Sequence, residues 1–173
     1  MTAADVLAVL EALAGLRVWV DGGWGVDALL GEQTRPHGDL DLAVDEAQLR
    51  EAELRLAYLG FEENVDARPG RPTRVVLEDG RGAVVDLHPL AFDEAGNGWQ
   101  SLPDGSLAGY PSQGLRGRGW IGPLRVRCLT AALQLRHHQG YASDNDDRAD
   151  MSRLAALLPE PLEAGAEPFA PMR

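Results

Sequence analysis

The fold class predicted by the sequence is a mixed α/β sheet covered by helices, and three observations predict it. Helical and strand patterns alternate through the first sixty residues. Two short strands around a glycine-bearing turn then follow near residue 80. The last third of the chain shifts toward helix, with no internal repeat or low-complexity tract. The order helix, strand, helix, strand, helix, hairpin suggests a mixed α/β sheet.

Each element has a local cause. Thr2 and Asp5 form the pattern of a capping box, and Val6, Val9, Leu10 and Leu13 recur behind it at helical spacing until Gly15. Leu16 to Val20 reads as a short buried strand, broken by Gly22-Gly23. A second helix runs from about Trp24 to Leu30 and stops at Gly31. Gly38 to Val44 alternates with period two, so Asp39 and Asp41 share one face and Leu40 and Leu42 the other. Asp45 with Gln48 has the form of another capping box. It opens a helix that turns Leu49, Leu56 and Leu59 inward and ends at Gly60. Phe61-Glu62 begins a short strand, and Asp66 to Pro72 is a turn rich in proline and arginine. Thr73 to Leu77 and Ala83 to Leu87 pair as a hairpin. From Ala91 to Pro123 the chain reads as a long glycine-rich loop, functional or hiding short strands. Leu124 to Cys128 is a strand; Leu129 to His138 and Asp146 to Leu158 are helices. The tail beyond is rich in proline.

Composition bounds the function. With 173 residues, the chain suits one domain or one domain with a short appendage. A chain of this size buries roughly 70% of its unfolded surface and needs no disulfide to fold. Its one cysteine, Cys128, fits a reducing compartment. The N-terminus lacks the positive start and apolar core of a signal peptide, and no apolar run approaches the ~20 residues that span a bilayer. Together these lead to the expectation of a cytoplasmic protein with no membrane partner. The net charge is -11, and all sixteen basic residues are arginine. A long nucleic acid needs a basic footprint that this chain lacks, whereas a metal-bound anion or a cationic small molecule suits it.

Three features carry chemistry. Asp21-Gly22-Gly23-Trp24 is a glycine turn between a strand and a helix; it allows close backbone approach and presents helix N–H groups to an anion. Alone, such a turn serves any tight strand–helix joint. Asp39-x-Asp41 places two carboxylates about 7 Å apart on one strand face, a spacing at which they can share hard cations. Asp86-x-His88 repeats the pattern on a later strand. If that strand lies near the first, three carboxylates converge, an arrangement suited to metal-assisted phosphoryl-type displacement. His88 by itself reads as a structural histidine. Between the turn and the acids stand Arg35, able to grip phosphate oxygens, and His37, able to donate to another. Trp99, Tyr110 and Trp120 are candidates for stacking on a sugar. The acidic run Ser143 to Asp147 either meets ammonium groups or caps a helix.

These residues reach a family. Gly22-Gly23-Trp24, Asp27, Gly31 and Thr34-Arg35-x-His37-x-Asp39-x-Asp41 closely resemble the small antibiotic nucleotidyltransferases, the lincosamide and aminoglycoside nucleotidyltransferases of the polymerase-β-type superfamily. Asp86-Leu87-His88 resembles the strand of their third acid. Val126 to Leu129 leading to His138-Gln139-Gly140-Tyr141, then Asp144, Asp147 and Asp150, resembles their C-terminal part. The resemblance spans about residues 5 to 158 and leaves 91–123 unmatched.

The resemblance implies a nucleotidyltransferase fold with a catalytic domain over 1–123 and a small C-terminal helical part over 124–173. It implies MgATP or another nucleoside triphosphate bound on Gly22, Gly23, Arg35 and His37, with two Mg²⁺ ions held by Asp39, Asp41 and Asp86. Asp86 acts as general base toward a hydroxyl of an antibiotic, and pyrophosphate leaves. Trp99, Tyr110, Tyr141 and Asp144 are the candidate acceptor contacts. The acidic surface ranks an aminoglycoside ahead of a lincosamide, and a site between two lobes is compatible with a homodimer. Rival readings are an NAD-binding Rossmann enzyme on Gly23-x-Gly25-x-x-Ala28, a metallohydrolase using His37 and His88, and a toxin–antitoxin type enzyme that modifies a protein.

Overall fold

The computed structural model describes residues 1–138 and 145–158. Helix α1 (Ala3–Ala12) starts at the expected cap: Thr2 Oγ1 accepts from Asp5 N–H at 3.2 Å, and Asp5 Oδ2 accepts from Thr2 N–H at 3.0 Å. Strand β1 (Val18–Val20) leads into α2 (Gly22–Leu30), which ends at Gly31 in the left-handed conformation. Then come β2 (Asp39–Asp45), α3 (Leu49–Tyr58), β3 (Glu62–Glu63), β4 (Val75–Glu78) and β5 (Val84–Phe92). Strands β6 (Gly98–Ser101), β7 (Leu107–Tyr110), β8 (Arg118–Ile121) and β9 (Leu124–Arg127) precede α4 (Ala131–His138) and α5 (Asn145–Ala156). Among the described residues no helix is long and apolar enough to cross a membrane.

The main sheet runs β1-β2-β5-β4-β3, with β6 paired to the far end of β5 and β7 paired to β6. Strands β2 and β5 are parallel, and the remaining pairs are antiparallel. The mixed sheet is therefore as expected. Because β1 and β2 are antiparallel, the glycine turn does not belong to a parallel βαβ unit, and the Rossmann reading fails on that geometry.

Strand alternation gives the sheet two unlike faces. Leu40, Leu42, Val44, Val85 and Leu87 are fully buried against Val6 and Val9 of α1, Trp24 and Ala28 of α2, and Ala52 and Leu56 of α3. Burying each such aliphatic side chain contributes about 1.5–3 kcal/mol. The opposite face carries the acids. Farther along, Trp19, Ala43 and Leu90 on that face pack with Tyr110, Leu115, Leu129 and Leu133.

Several local expectations change. The second helix begins at Gly22, because the Asp21 side chain accepts from Gly22 N–H and draws both glycines into its first turn. Asp45 and Gln48 do not form a capping box. Asp45 accepts from Ala47 N–H in a short 3-10 turn, and the Gln48 amide oxygen accepts from Arg17 N–H at 2.7 Å. Leu59 lies beyond the last turn of α3 and is exposed, while Phe61 fills the core in its place. The 91–123 segment holds an extension of β5 together with β6, β7, β8 and a 3-10 turn over Gly114–Arg116. The β8–β9 hairpin turns between Ile121 and Leu124, so the expected division at residue 123 falls in its loop.

Glycines in that segment serve packing as well as turns. Gly119 of β8 lies against the carbonyl of Ala28 in α2, where a Cβ would collide with backbone. Gly119→Ala should therefore destabilise the chain by about 1–3 kcal/mol, the usual cost of overpacking, seen as a lower urea midpoint with an unchanged slope.

Candidate active site

The parallel pairing of β2 with β5 sets Asp41 opposite Asp86 and Ala43 opposite His88. Ligand atoms of Asp41, Asp86 and His88 all lie within 4.8 Å of one another. Asp39 stands two residues ahead of Asp41 on the same face, exposed at the mouth. Asp41 is half-buried, and Asp86 is buried. The fold thus brings two of the expected acids, Asp41 and Asp86, together with His88, and leaves Asp39 on the same face of β2, where it feels the charge of both.

This concentration of negative charge shapes the site. Loss of solvent around the Asp39 carboxyl, followed by the charges of Asp41 and Asp86, holds it above the usual carboxylate range. Burial disfavours a charged His88, but the neighbouring carboxylates of Asp41 and Asp86 outweigh that, and its pKa is pushed up to about 10. His88 Nε2 lies 3.5 Å from Asp41 Oδ1 and 3.5 Å from Asp86 Oδ1. Arg74 Nη1 donates to Asp86 Oδ2 at 2.5 Å. Asp86 Oδ1 is buried and accepts no hydrogen bond. Two carboxylates, one with an unpartnered oxygen, fit a divalent cation, with the imidazole as a further ligand once it gives up its proton.

The glycine turn borders the same pocket. Gly22 has φ +57, and a Cβ there would collide with Asp41 Oδ2, so backbone and carboxylate are in close approach. A Cβ at Gly23 would meet the ring of His37 and lie 3.2 Å from Arg35 Nη2. The N-terminal N–H groups of α2 therefore open beside the acids, with Arg35 over the turn.

A buried network holds this loop. Asp27 of α2 accepts from Thr34 N–H at 3.0 Å and from Thr34 Oγ1 at 2.7 Å, and its other oxygen meets His37 Nε2 at 2.5 Å. Burial opposes an ionised Asp27, but these partners keep its carboxyl below the usual range. His37 Nε2 is thus committed to Asp27, and the ring rests 4.9 Å from that of Trp24. Arg35 donates from Nη2 to Asp150 Oδ2 at 2.8 Å, joining α5 to the turn.

The candidate acceptor residues separate. Tyr110 is buried, and its hydroxyl donates to Gln100 Oε1 at 2.8 Å. Trp99 is half-buried, with Nε1 donating to Asp93. Trp120 is exposed on β8. Tyr141 and Asp144 lie outside the described residues. The role of Asp150 toward Arg35 and that of Arg74 toward Asp86 were not anticipated. Arg74 had a signal: alternation carried back from β4, where Val76 faces Asp86, puts it on the acid face.

Comparison with known proteins agrees with this geometry. The model of the aminoglycoside-2''-adenylyltransferase family matches residues 3–154. A lincosamide resistance protein of Staphylococcus haemolyticus is 26% identical over 159 residues, covering 91% of this chain and 96% of that protein. A 2''-aminoglycoside nucleotidyltransferase of Klebsiella pneumoniae is 42% identical over 45 residues, which is 26% of this chain and 25% of the relative. Among solved structures, the lincomycin-bound lincosamide antibiotic adenylyltransferase LnuA superimposes with a TM-score of 0.77 at 26% identity, covering 91% of this chain and 99% of the other. The aminoglycoside enzyme ANT(2")-Ia, in complex with adenylyl-2"-tobramycin, shares the fold with a TM-score of 0.68 at 19% identity, covering 89% and 87%. The acids, the glycine turn and the family match over nearly the whole chain lead to one conclusion: the chain belongs to the aminoglycoside-2''-adenylyltransferase family and is a nucleotidyltransferase of the antibiotic-modifying kind.

Proposed function

We propose that the chain transfers AMP from ATP to a hydroxyl group of an antibiotic, releasing pyrophosphate, and that Asp39, Asp41 and Asp86 carry the reaction. The supporting observation is the close approach of Asp41 to Gly22, which sets the acid face of the sheet beside the N-terminus of α2, the pairing that a metal-bound triphosphate calls for. In this reading the triphosphate rests on the Gly22-Gly23 turn under Arg35. His37 and Asp27 keep the turn in shape, and Asp150 orients Arg35. Asp86 accepts the proton of the acceptor hydroxyl as that oxygen bonds to the α-phosphorus. The bond from the α-phosphorus to the bridging oxygen breaks, and pyrophosphate leaves with its electron pair. Asp39, Asp41 and Asp86 would hold Mg²⁺, two ions in this reading, which acidifies the hydroxyl and neutralises the leaving group.

The relatives reorder the acceptors. Sequence likeness to the lincosamide resistance protein runs the length of the chain, while that to the Klebsiella pneumoniae aminoglycoside enzyme covers about a quarter of it; in structure LnuA has the higher TM-score, 0.77 against 0.68 for ANT(2")-Ia. A lincosamide therefore comes first and an aminoglycoside second, the latter supported by the family model.

Incubation with labelled ATP and a panel of both antibiotic classes should label a lincosamide; label on no antibiotic would overturn the proposal. Asp39→Asn, Asp41→Asn and Asp86→Asn should each lower kcat by at least about 10²-fold. Because the fold disfavours the ionised Asp39, Asp39→Asn should leave the metal-free thermal midpoint unchanged or raise it. In Gly22→Ala the new methyl group displaces the Asp41 carboxylate, so transfer should fall by about 10²-fold in single-turnover assays.

A further inference from the structure

We infer that Arg74 is a positioning residue for Asp86, clamped by the turn that precedes β4 and braced from behind by β6 and β7. The inference rests on the proposed role of Asp86. All three guanidinium nitrogens of Arg74 are engaged. Nη1 donates to Asp86 Oδ2 at 2.5 Å, Nε to the Pro69 carbonyl at 3.1 Å, and Nη2 to the Arg68 carbonyl at 3.1 Å. The fork is therefore fixed to backbone on one side and to one carboxylate oxygen on the other. That leaves Asp86 Oδ1, which accepts no hydrogen bond, directed toward Asp41 and His88.

The brace is buried. The carbonyl of Thr73, next in the chain to Arg74, accepts from Gln100 Nε2 at 2.9 Å, and Gln100 Oε1 accepts from the Tyr110 hydroxyl at 2.8 Å. Thr73, Gln100 and Tyr110 are all buried. A carboxylate with one free rotation would otherwise spread Oδ1 over several directions; the clamp selects one. Because the Asp86 carboxylate is buried, the pair offsets its charge as well as fixing its orientation, and it is the orientation that the reaction reads. The 91–110 segment thereby gains a role: it holds the residues behind Asp86 in place.

Assayed well below its thermal midpoint, Arg74→Gln should lower kcat by about 10²-fold, as expected for loss of orientation, while the KM for ATP stays near wild type; the midpoint itself should fall, since a buried carboxylate loses its partner. Arg74→Lys should recover part of the loss, since it restores the charge but not the fork. Unchanged kcat in Arg74→Gln, or a loss in both variants that only follows a fallen thermal midpoint, would overturn the clamp. If the glutamine variant does not fold, the lysine variant decides by the same criteria. A second readout needs no acceptor. In ¹⁵N spectra of the full chain, Arg74 Nη signals should be separately resolved in the wild type and merge in Asp86→Asn. Averaged signals in the wild type would refute the clamp. Should the wild type label no antibiotic, the transfer reading fails, yet these spectra still decide whether Arg74 holds Asp86.

Discussion

The site depends on one pairing, the parallel alignment of β2 with β5 that sets Asp41 beside Asp86. Side chains alternate along a strand, so a register slip of one residue would carry Asp86 to the apolar face and leave its charge among Leu40, Leu42 and the helices, with Leu87 turned to the acid face. The apolar face prevents that slip. Leu40, Leu42, Val85 and Leu87 are fully buried on one side, and a slip would expose them while burying acids. The hydrophobic core thereby sets the geometry of a polar site that it does not touch.

Carboxylates gathered in this way repel each other, and the chain offsets the repulsion with its own cations. His88 lies between Asp41 and Asp86, and Arg74 holds the outer oxygen of Asp86. Asp39, which lacks a comparable partner in the described hydrogen bonds and ion pairs, is the acid whose ionised form is disfavoured. The same division appears in the loop between α2 and β2. Asp27 is buried with His37 and Thr34 and supports the turn, while Arg35 leans on Asp150 from the C-terminal helix. Each acid in the motif thus has a distinct environment, set by the cations and donors around it.

Much of this was legible in the residues. The capping box at Thr2, the stop at Gly31, the alternation in β2 and β5 and the β4–β5 hairpin all follow from local rules, and the structure has them. The acid motif was legible because strand alternation fixes which residues share a face. His88 was read as structural, since one histidine on a strand gives no sign of its neighbours across the sheet. The strands between 91 and 123 were hidden because glycine at positions such as Gly119 stands for close backbone packing as readily as for a loop.

The sequence by itself determined most elements outside residues 91–123, the face on which each acid stands and the family to which the motifs belong, because those properties depend on spacing along the chain. Tertiary structure alone decided that β2 and β5 are neighbours and parallel, that Asp41 closes on Gly22, that His37 turns to Asp27, and that Asp150 reaches Arg35 from a distant segment. Those relations depend on which surfaces bury one another. Burial is a property of the whole chain packing at once, and no local window of residues contains it.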